Sequence, residues 1–366
     1  MIRIKPYTSL PERKEIEELY LELVARTLPF REEDLSGDPA LFPEKLFDRE
    51  KSAAKKPPTA RESGTIIQDY SEELHSFLFD ETGKLKRERL HSLLFSPMDE
   101  QSRAERKLCF ARGGDPGEMQ RVFSYERFSS SAKIHEFVRL LKVPVCPYCN
   151  RSFTTTLVRG RESRISTRPE LDHYLPKNRY PHFALSILNL VPSCGTCNRL
   201  KSNRDERILY PYAEGMGDRF RFETKPKGDM SYLIGAGVDF ELRLSPCGSL
   251  EAGFRERAEN SERLLGLTEL YQGAHRDFVS ELFFRRYVFT DELLEELLEQ
   301  FGEKDGGLFE SVDDIKRLLF LRGLREEEWG ERPLSKLAHD IDREITALEA
   351  AKKRENRSKS KAPPEK

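Results

Sequence analysis

The sequence predicts an α+β fold in which a small module, built around two Cys-x-x-Cys pairs, lies between mainly helical N-terminal and C-terminal regions. The two pairs, Cys146–Cys149 and Cys194–Cys197, are separated by 44 residues. The flanking regions repeat apolar residues at the spacing of amphipathic helices. Two segments after residue 212 alternate polar and apolar residues, as half-buried strands do. These observations place short strands and helices together in one chain.

The length and composition limit the number of domains and the class of protein. The 366 residues suffice for two or three domains. The hydrophobic fraction of 37% and the charged fraction of 34% are typical of a water-soluble protein. The sequence contains neither a signal peptide nor an apolar run of the roughly 20 residues that cross a membrane, so we expect a cytoplasmic protein without a membrane partner.

We divide the chain into four parts by composition and by the position of the cysteines. They are a helical region, the central module, a mainly helical region with a short hairpin, and a disordered basic tail: 1–135, 136–212, 213–350 and 351–366. The first helix is predicted over Glu12–Thr27, because its apolar residues share one face. A Lys-, Ala- and Pro-rich linker is predicted at 51–65. Further N-terminal helices are predicted at 70–79, 88–95, 101–110 and 131–142.

The C-terminal region is predicted to combine two strands with several helices. The strands, at 219–224 and 238–244, form either a small hairpin or an edge of the central module. After Asn260 the apolar spacing becomes helical. The predicted helices are 261–266, 267–286, 290–301, 312–322 and 335–353.

The two cysteine pairs predict a structural zinc site. The two-residue spacing lets two thiolates turn toward one ion, and two such pairs complete a closed tetrahedral site. Random placement of six cysteines gives roughly 0.1 pairs at this spacing. Four sulfur ligands leave no open coordination position, so the zinc is expected to be structural and not catalytic. A redox Cys-x-x-Cys motif or disulfides are the alternative. Cys109 and Cys247 are interpreted as small core residues or as residues without a role in the site.

Positive charge is concentrated in the central module although the net charge is −2. Leu141–Ile208 holds 12 Lys and Arg against 5 Asp and Glu, and Ala351–Lys366 holds 7 against 2. A basic island in an otherwise acidic chain indicates a polyanionic partner. A solvated charged face is the alternative interpretation.

The residues between and just after the cysteine pairs resemble the HNH endonuclease family. They read Glu170-Leu-Asp172-His173, then Asn189-Leu-Val-Pro-Ser-Cys194, then Cys197-Asn198. In that family an acidic residue and a His end a strand, an Asn opens the returning strand, and a His or Asn follows the second cysteine pair inside a helix. The resemblance covers residues 145–203 and is similar to the HNN variant of phage junction-resolving endonucleases.

A second resemblance, to HNH nucleases of bacterial antiphage defence such as the Septu nuclease subunit, extends into the flanking helices. The HNH resemblance implies a ββα-metal, treble-clef-like module and a metal-dependent endonuclease acting on DNA. The defence resemblance implies, in addition, an ATPase partner protein.

The chemistry of the individual residues agrees with this resemblance. Phosphodiester hydrolysis requires a deprotonated water, and His173, with an ordinary pKa of about 6.5, is the candidate base. A Mg²⁺ or Mn²⁺ ion would neutralise developing charge and prefers oxygen ligands, which Asp172 and Asn198 supply. Asn189 is expected to orient the base by hydrogen bonding. Adjacent residues on a strand face opposite sides, so the strand must end or bulge at this point.

Four basic residues are predicted to contact nucleic-acid phosphates without reading sequence: Lys177, Arg179, Arg199 and Lys201. His182 either supports this site or packs on neighbouring aromatic rings. Two other functions stay open. One is a zinc-dependent nucleic-acid-binding or assembly module without catalysis. The other is an RNase that uses the same residues.

Overall fold

The computed structural model describes residues 1–28, 78–81, 86–95, 98, 116–157, 167–302 and 307–360. It combines helices with small antiparallel sheets, which confirms the α+β prediction. The predicted linker at 51–65, the helix predicted at 101–110 and Cys109 lie outside the described residues. Within the described residues, no helix is both long and apolar enough to cross a membrane.

The chain divides into two compact units. The first unit contains Met1–Ile4, Pro144–Phe153 and Glu206–Lys366. The second unit contains Lys5–Val143 and Thr154–Asp205. Each unit combines segments that are distant in sequence, and the four-part division made from the sequence stays a prediction.

Among the described residues of the second unit, the helices that precede the strands are α1 (Arg13–Thr27), α2 (Arg87–Phe95), α3 (Pro116–Val122), α4 (Tyr125–Ser129) and α5 (Ile134–Leu140). The predicted helix at 12–27 is therefore confirmed. Tyr20 of α1 is fully buried, and its ring lies 5.8 Å from that of Phe128 and 5.3 Å from that of Phe137. Aromatic packing of this kind joins α1 to α4 and α5.

A short ββα arrangement completes the second unit. Strands β1 (Glu170–His173) and β2 (Leu190–Ser193) are antiparallel, with His173 opposite Leu190. Helix α6 (Gly195–Lys201) follows directly after β2 and packs against β1. Strand β1 ends at His173. This agrees with the expectation that the strand ends or bulges where Asp172 and His173 are adjacent. This arrangement brings the end of β1 next to the residues of α6.

The first unit contains the predicted hairpin and most of the C-terminal helices. Strands β3 (Phe220–Pro226) and β4 (Phe240–Pro246) pair with each other in an antiparallel sheet of two strands. The hairpin is therefore separate from the β1–β2 sheet. The helices that follow are α7 (Ala252–Leu265), α8 (Leu267–Ala274), α9 (Arg276–Val288), α10 (Asp291–Phe301), α11 (Val312–Phe320) and α12 (Ser335–Ser360).

Apolar side chains of β3, β4, α8, α9 and α12 form the core of the first unit, among them Phe222, Phe240, Tyr271, Phe283 and Ile341. The helix predicted over 267–286 is two helices, which are separated at His275, where φ is −133°. The helix predicted to end at Lys353 continues to Ser360, so residues 351–360, predicted to belong to a disordered basic tail, are helical.

Candidate active site

The four predicted zinc ligands form a cluster. The Sγ atoms of Cys146, Cys149, Cys194 and Cys197 lie within 4.8 Å of one another, close enough to hold one metal ion. Cys194 also caps α6, since its Sγ accepts the backbone N–H of Cys197 at 3.5 Å. The backbone N–H of Arg151 donates to Cys149 Sγ at 3.4 Å. Four convergent sulfur atoms match the donor set that zinc prefers.

Asn150 shapes the turn after the first cysteine pair. Its backbone has a φ of +54°, a left-handed conformation that Asn tolerates better than most residues. Its Nδ2 donates to the Trp329 carbonyl at 2.7 Å, and its Oδ1 accepts from the backbone N–H of Lys336 at 3.1 Å. The backbone N–H of Leu334 donates to the Asn150 carbonyl at 2.6 Å. This turn is therefore bonded to the start of α12.

His173 is buried and held in one orientation. Its Nε2 lies 3.0 Å from the Ala184 carbonyl, which can only accept a hydrogen bond. Nε2 therefore carries the proton, and Nδ1 is the basic nitrogen. The ring edge packs against Tyr125 with the ring centroids 4.5 Å apart. Burial lowers the pKa of His173 from 6.5 to about 3, so the imidazole is neutral at ordinary pH.

Asp172 forms a buried ion pair with Lys201. The Lys201 Nζ lies 3.1 Å from Oδ2 and 3.3 Å from Oδ1 of Asp172, and 2.5 Å from the His173 carbonyl. The two side chains are only 1% and 3% exposed. The prediction that Lys201 contacts phosphate does not fit this arrangement, because its ammonium is buried and bound to three oxygen atoms.

Asn189 holds the loop between β1 and β2 and makes no hydrogen bond to the imidazole. Its Oδ1 accepts from the Leu175 N–H at 2.7 Å, and its Nδ2 donates to the Leu175 and Phe183 carbonyls at 3.1 Å each. Phe183 precedes Ala184, whose carbonyl holds His173. Asn189 therefore affects the orientation of His173 through this loop and not by direct contact.

Asn198 lies on α6, three residues before Lys201, and is half-buried. Among the described residues its side chain makes no hydrogen bond, so its amide oxygen is available to a ligand. Helix α6 packs against β1, and oxygen atoms of Asp172 and His173 at the end of β1 bind the Lys201 ammonium group. Carboxylate, carbonyl and amide oxygens are the donor types that a hard cation such as Mg²⁺ or Mn²⁺ prefers.

The other predicted phosphate contacts lie nearer the surface. Lys177 is partly exposed, pairs with Glu126 and lies over the Tyr125 ring at 5.0 Å from its centroid. Arg179 is 63% exposed and lies 3.5 Å from Asp205, and Arg199 is exposed. These three cations are placed where a ligand from solvent can reach them, and their contact with phosphate stays a prediction.

His182 is buried in a short 3₁₀ turn, with its ring centroid 4.0 Å from that of Phe183. This contact matches the expected packing on aromatic rings.

Residues 146–204 match the family model described as HNH endonuclease. The chain carries an HNH endonuclease domain. The matched residues include both cysteine pairs and the four polar residues singled out in the sequence: Asp172, His173, Asn189 and Asn198. Comparison with curated proteins and with solved structures finds no significant match.

Two contacts of the HNH domain could not be read from the sequence. Tyr125, which packs on His173, precedes it by 48 residues in a region without a recognisable motif. The Ala184 carbonyl is a backbone group, so residue type carries no signal for it. A second cluster of candidate ligands among the described residues, Asp218, His339 and Asp340, is an ion-pair network, because Arg343 binds Asp218 and Lys336 binds Asp340.

Proposed function

We propose that this chain is a metal-dependent HNH endonuclease that hydrolyses phosphodiester bonds in DNA, with His173 as the general base. The observation that carries the proposal is the orientation of His173. One ring nitrogen is held by the Ala184 carbonyl, and the other has no hydrogen-bond partner among the described residues. A neutral imidazole held in this way is suited to take a proton from water.

The surroundings of His173 support proton transfer at Nδ1. When the ring becomes charged, its hydrogen bond to the Ala184 carbonyl becomes stronger, because charged donors bind more strongly than neutral ones. Burial keeps the ring neutral but also makes it a weak base. The negative charge of an approaching phosphate favours the protonated imidazole and raises the pKa toward a useful range. Tyr125 limits rotation of the ring.

A divalent Mg²⁺ or Mn²⁺ ion would be held by the carboxylate of Asp172 and the amide oxygen of Asn198. Such an ion supplies neutralisation of charge on the phosphate and on the leaving 3′ oxygen. The four-cysteine cluster would hold a structural Zn²⁺. The exposed side chains of Arg179 and Arg199, with Lys177, would bind the nucleic-acid backbone.

The choice of DNA as substrate, an antiphage role and an ATPase partner rest on the family resemblance. An RNase that uses the same residues is therefore an outcome that the experiment must distinguish. A nucleic-acid-binding module without catalysis is the second candidate. It is favoured by one observation, the burial of the Asp172 carboxylate against Lys201.

The test is cleavage of supercoiled plasmid DNA by the full chain with Mg²⁺ or Mn²⁺, and with EDTA. We expect metal-dependent cleavage that falls by at least about 100-fold in His173→Ala, which is the lower end of general-base contributions. His135→Ala is the matched control, since this half-buried histidine of α5 lies outside the site. Full activity in His173→Ala would disprove the assignment of the base.

A parallel assay with single-stranded and double-stranded RNA distinguishes a nuclease that cuts DNA from one that cuts RNA. Cleavage of RNA with DNA left intact would favour the RNase. Binding of DNA or RNA without cleavage by zinc-loaded protein would favour the binding module.

A further inference from the structure

We propose that the Lys201 ammonium group occupies the metal position of the nuclease site in the resting protein. A divalent metal ion then reaches Asp172 by displacing this ammonium group. This inference rests on the proposed function and extends it to the control of metal entry. It makes Lys201 a positioning residue of the site and not a phosphate contact of the resting protein.

The first argument is the set of atoms around the ammonium group. Nζ of Lys201 lies within 3.3 Å of both carboxylate oxygens of Asp172 and 2.5 Å from the carbonyl of His173. Three convergent oxygen atoms, two of them anionic, are the kind of donors that Mg²⁺ and Mn²⁺ prefer. The lysine therefore occupies the position that an incoming cation would need.

The second argument is burial. The side chains of Lys201 and Asp172 are 1% and 3% exposed, so the carboxylate does not face solvent while the pair is intact. A metal ion on the carboxylate would also lie beside a positive charge, and like charges repel strongly where water is excluded. Binding of the metal and retention of the ion pair therefore oppose each other.

The third argument is the position of Lys201 on α6. The helix ends at Lys201, and Ser202 follows with a φ of +49°. Residues 202–204 are exposed, so solvent lies next to the end of the helix. The flexible four-carbon side chain of lysine can move its ammonium outward from this position without a change in the helix. Asn198, the predicted amide ligand of the metal, lies one turn earlier on the same helix.

The experiment measures Mn²⁺ binding to the zinc-loaded full chain without nucleic acid, by electron paramagnetic resonance of the free ion. Lys201→Met keeps the length of the side chain and removes its charge. We expect Mn²⁺ to bind at least about tenfold more tightly than to wild type, which corresponds to about 1.4 kcal/mol. Lys201→Arg retains the charge, and its affinity is expected to stay within about threefold of wild type.

Two controls separate local displacement from general charge and from misfolding. Arg204→Met removes one exposed positive charge near the same end of α6, and its Mn²⁺ affinity should match wild type within about threefold. The double variant Asp172→Asn/Lys201→Met removes both buried charges and should fold without binding Mn²⁺ at this site. If Lys201→Met alone is unstable because Asp172 has lost the Lys201 ammonium, Mn²⁺ should raise its Tm more than that of wild type.

Equal Mn²⁺ affinity in wild type and folded Lys201→Met would overturn the proposal, as would Mn²⁺ binding by neither protein. A gain in affinity equal to that of Arg204→Met would also overturn it, since it would reflect general electrostatics. These results are independent of nuclease activity. Cleavage by wild type together with unchanged Mn²⁺ affinity in Lys201→Met would leave the proposed function intact and remove only the displacement.

Discussion

The orientation and charge of the His173 side chain are set by its neighbours. The Ala184 carbonyl determines which ring nitrogen carries the proton, and burial keeps the ring uncharged. Tyr125 contacts the ring from a helix that precedes the domain in sequence. The state of this residue therefore depends on contacts that its own motif does not contain.

The lowered pKa of His173 predicts loss of stability on acidification. The folded protein keeps His173 neutral until the pH falls to about 3, whereas the unfolded chain takes up a proton near pH 6.5. Between these values the unfolded state binds more protons, so this contribution to the free energy of unfolding decreases as the pH falls. The contribution to the slope is at most about 1.4 kcal/mol per pH unit. Urea unfolding of wild type and His173→Gln at pH 4, 5 and 6 measures it.

The free energy of unfolding should change less with pH in His173→Gln than in wild type over this range. His135→Gln is measured alongside, to show the effect of replacing a half-buried histidine outside the site. An equal slope in wild type and His173→Gln would show that the buried imidazole does not titrate as described.

The residue types of the candidate site could be predicted from the sequence, but the contacts of these residues could not. Asp172, His173, Asn189 and Asn198 stand out by type and spacing. The predicted hydrogen bond from Asn189 to the imidazole is not present, because the amide is bonded to Leu175 and Phe183. Lys201 looked like an exposed cation because nothing in its local sequence indicates burial against β1.

Helix α6 combines several functions in seven residues. Its N-terminal cap is Cys194, its first turn holds Cys197, and Asn198 and Lys201 follow one turn apart. A change in the position of the cysteine cluster would therefore also move the cation and the amide of the site. One short element therefore joins the cysteine cluster to the candidate site.

The cysteine cluster predicts one zinc ion per chain. Cys194→Ser should lose most of the bound zinc and lower the Tm by at least about 4 °C, because a structural zinc contributes directly to folding. Zinc content measured by inductively coupled plasma mass spectrometry and thermal unfolding provide the readouts. Cys247→Ser is the control, since this cysteine lies outside the cluster. Unchanged zinc content in Cys194→Ser would contradict the assignment.

The sequence predicted the approximate positions of the helices better than the residues at which they begin and end. Helix α7 begins at Ala252, earlier than the predicted residue 261, because the side chain of Glu251 caps it by accepting from the N–H groups of Gly253 and Phe254. Glutamate is not among the usual N-cap residues, so the sequence lacked the expected signal. The break at His275 was missed because the apolar periodicity continues across it, although Gly273 lies two residues earlier.

Within the first unit, buried charge accompanies the apolar core. Arg286 is fully buried and lies 2.6 Å from Asp291, 3.1 Å from Asp342 and 3.2 Å from Glu349. Asp342 also pairs with Lys316 at 2.9 Å. These contacts connect α9, α10, α11 and α12, and their removal would leave carboxylates without a counter-charge.

Replacement of Arg286 by Met should lower the free energy of unfolding by about 1–3 kcal/mol, because Arg286 loses its charged hydrogen bonds while Asp342 keeps its pair with Lys316. Urea unfolding followed by circular dichroism measures this change. Arg255→Met is the matched control, because Arg255 forms an exposed pair with Glu259. Its effect should be within about 1 kcal/mol. A similar small effect at both positions would show that the network adds little to stability.

For the whole chain, the α+β class and the location of the nuclease module could be predicted from the cysteine spacing and the polar motifs. The composition of each compact unit could not, because each unit joins segments far apart in sequence. The N-terminal 135 residues contain no motif that indicates chemistry, yet Tyr125 among them contacts the candidate base. Such contacts arise from tertiary packing, which local patterns do not encode.

The bonds made by Asn150 bear on how the protein can be dissected. Its side chain and carbonyl are bonded to Trp329, Leu334 and Lys336, more than 170 positions further along the chain. A recombinant fragment cut at residues 146–204 would lose all three partners and leave the turn behind Cys149 with unsatisfied polar groups. Activity assays on the excised domain would then report on a damaged metal-binding loop. The C-terminal third belongs in any fragment intended for biochemistry.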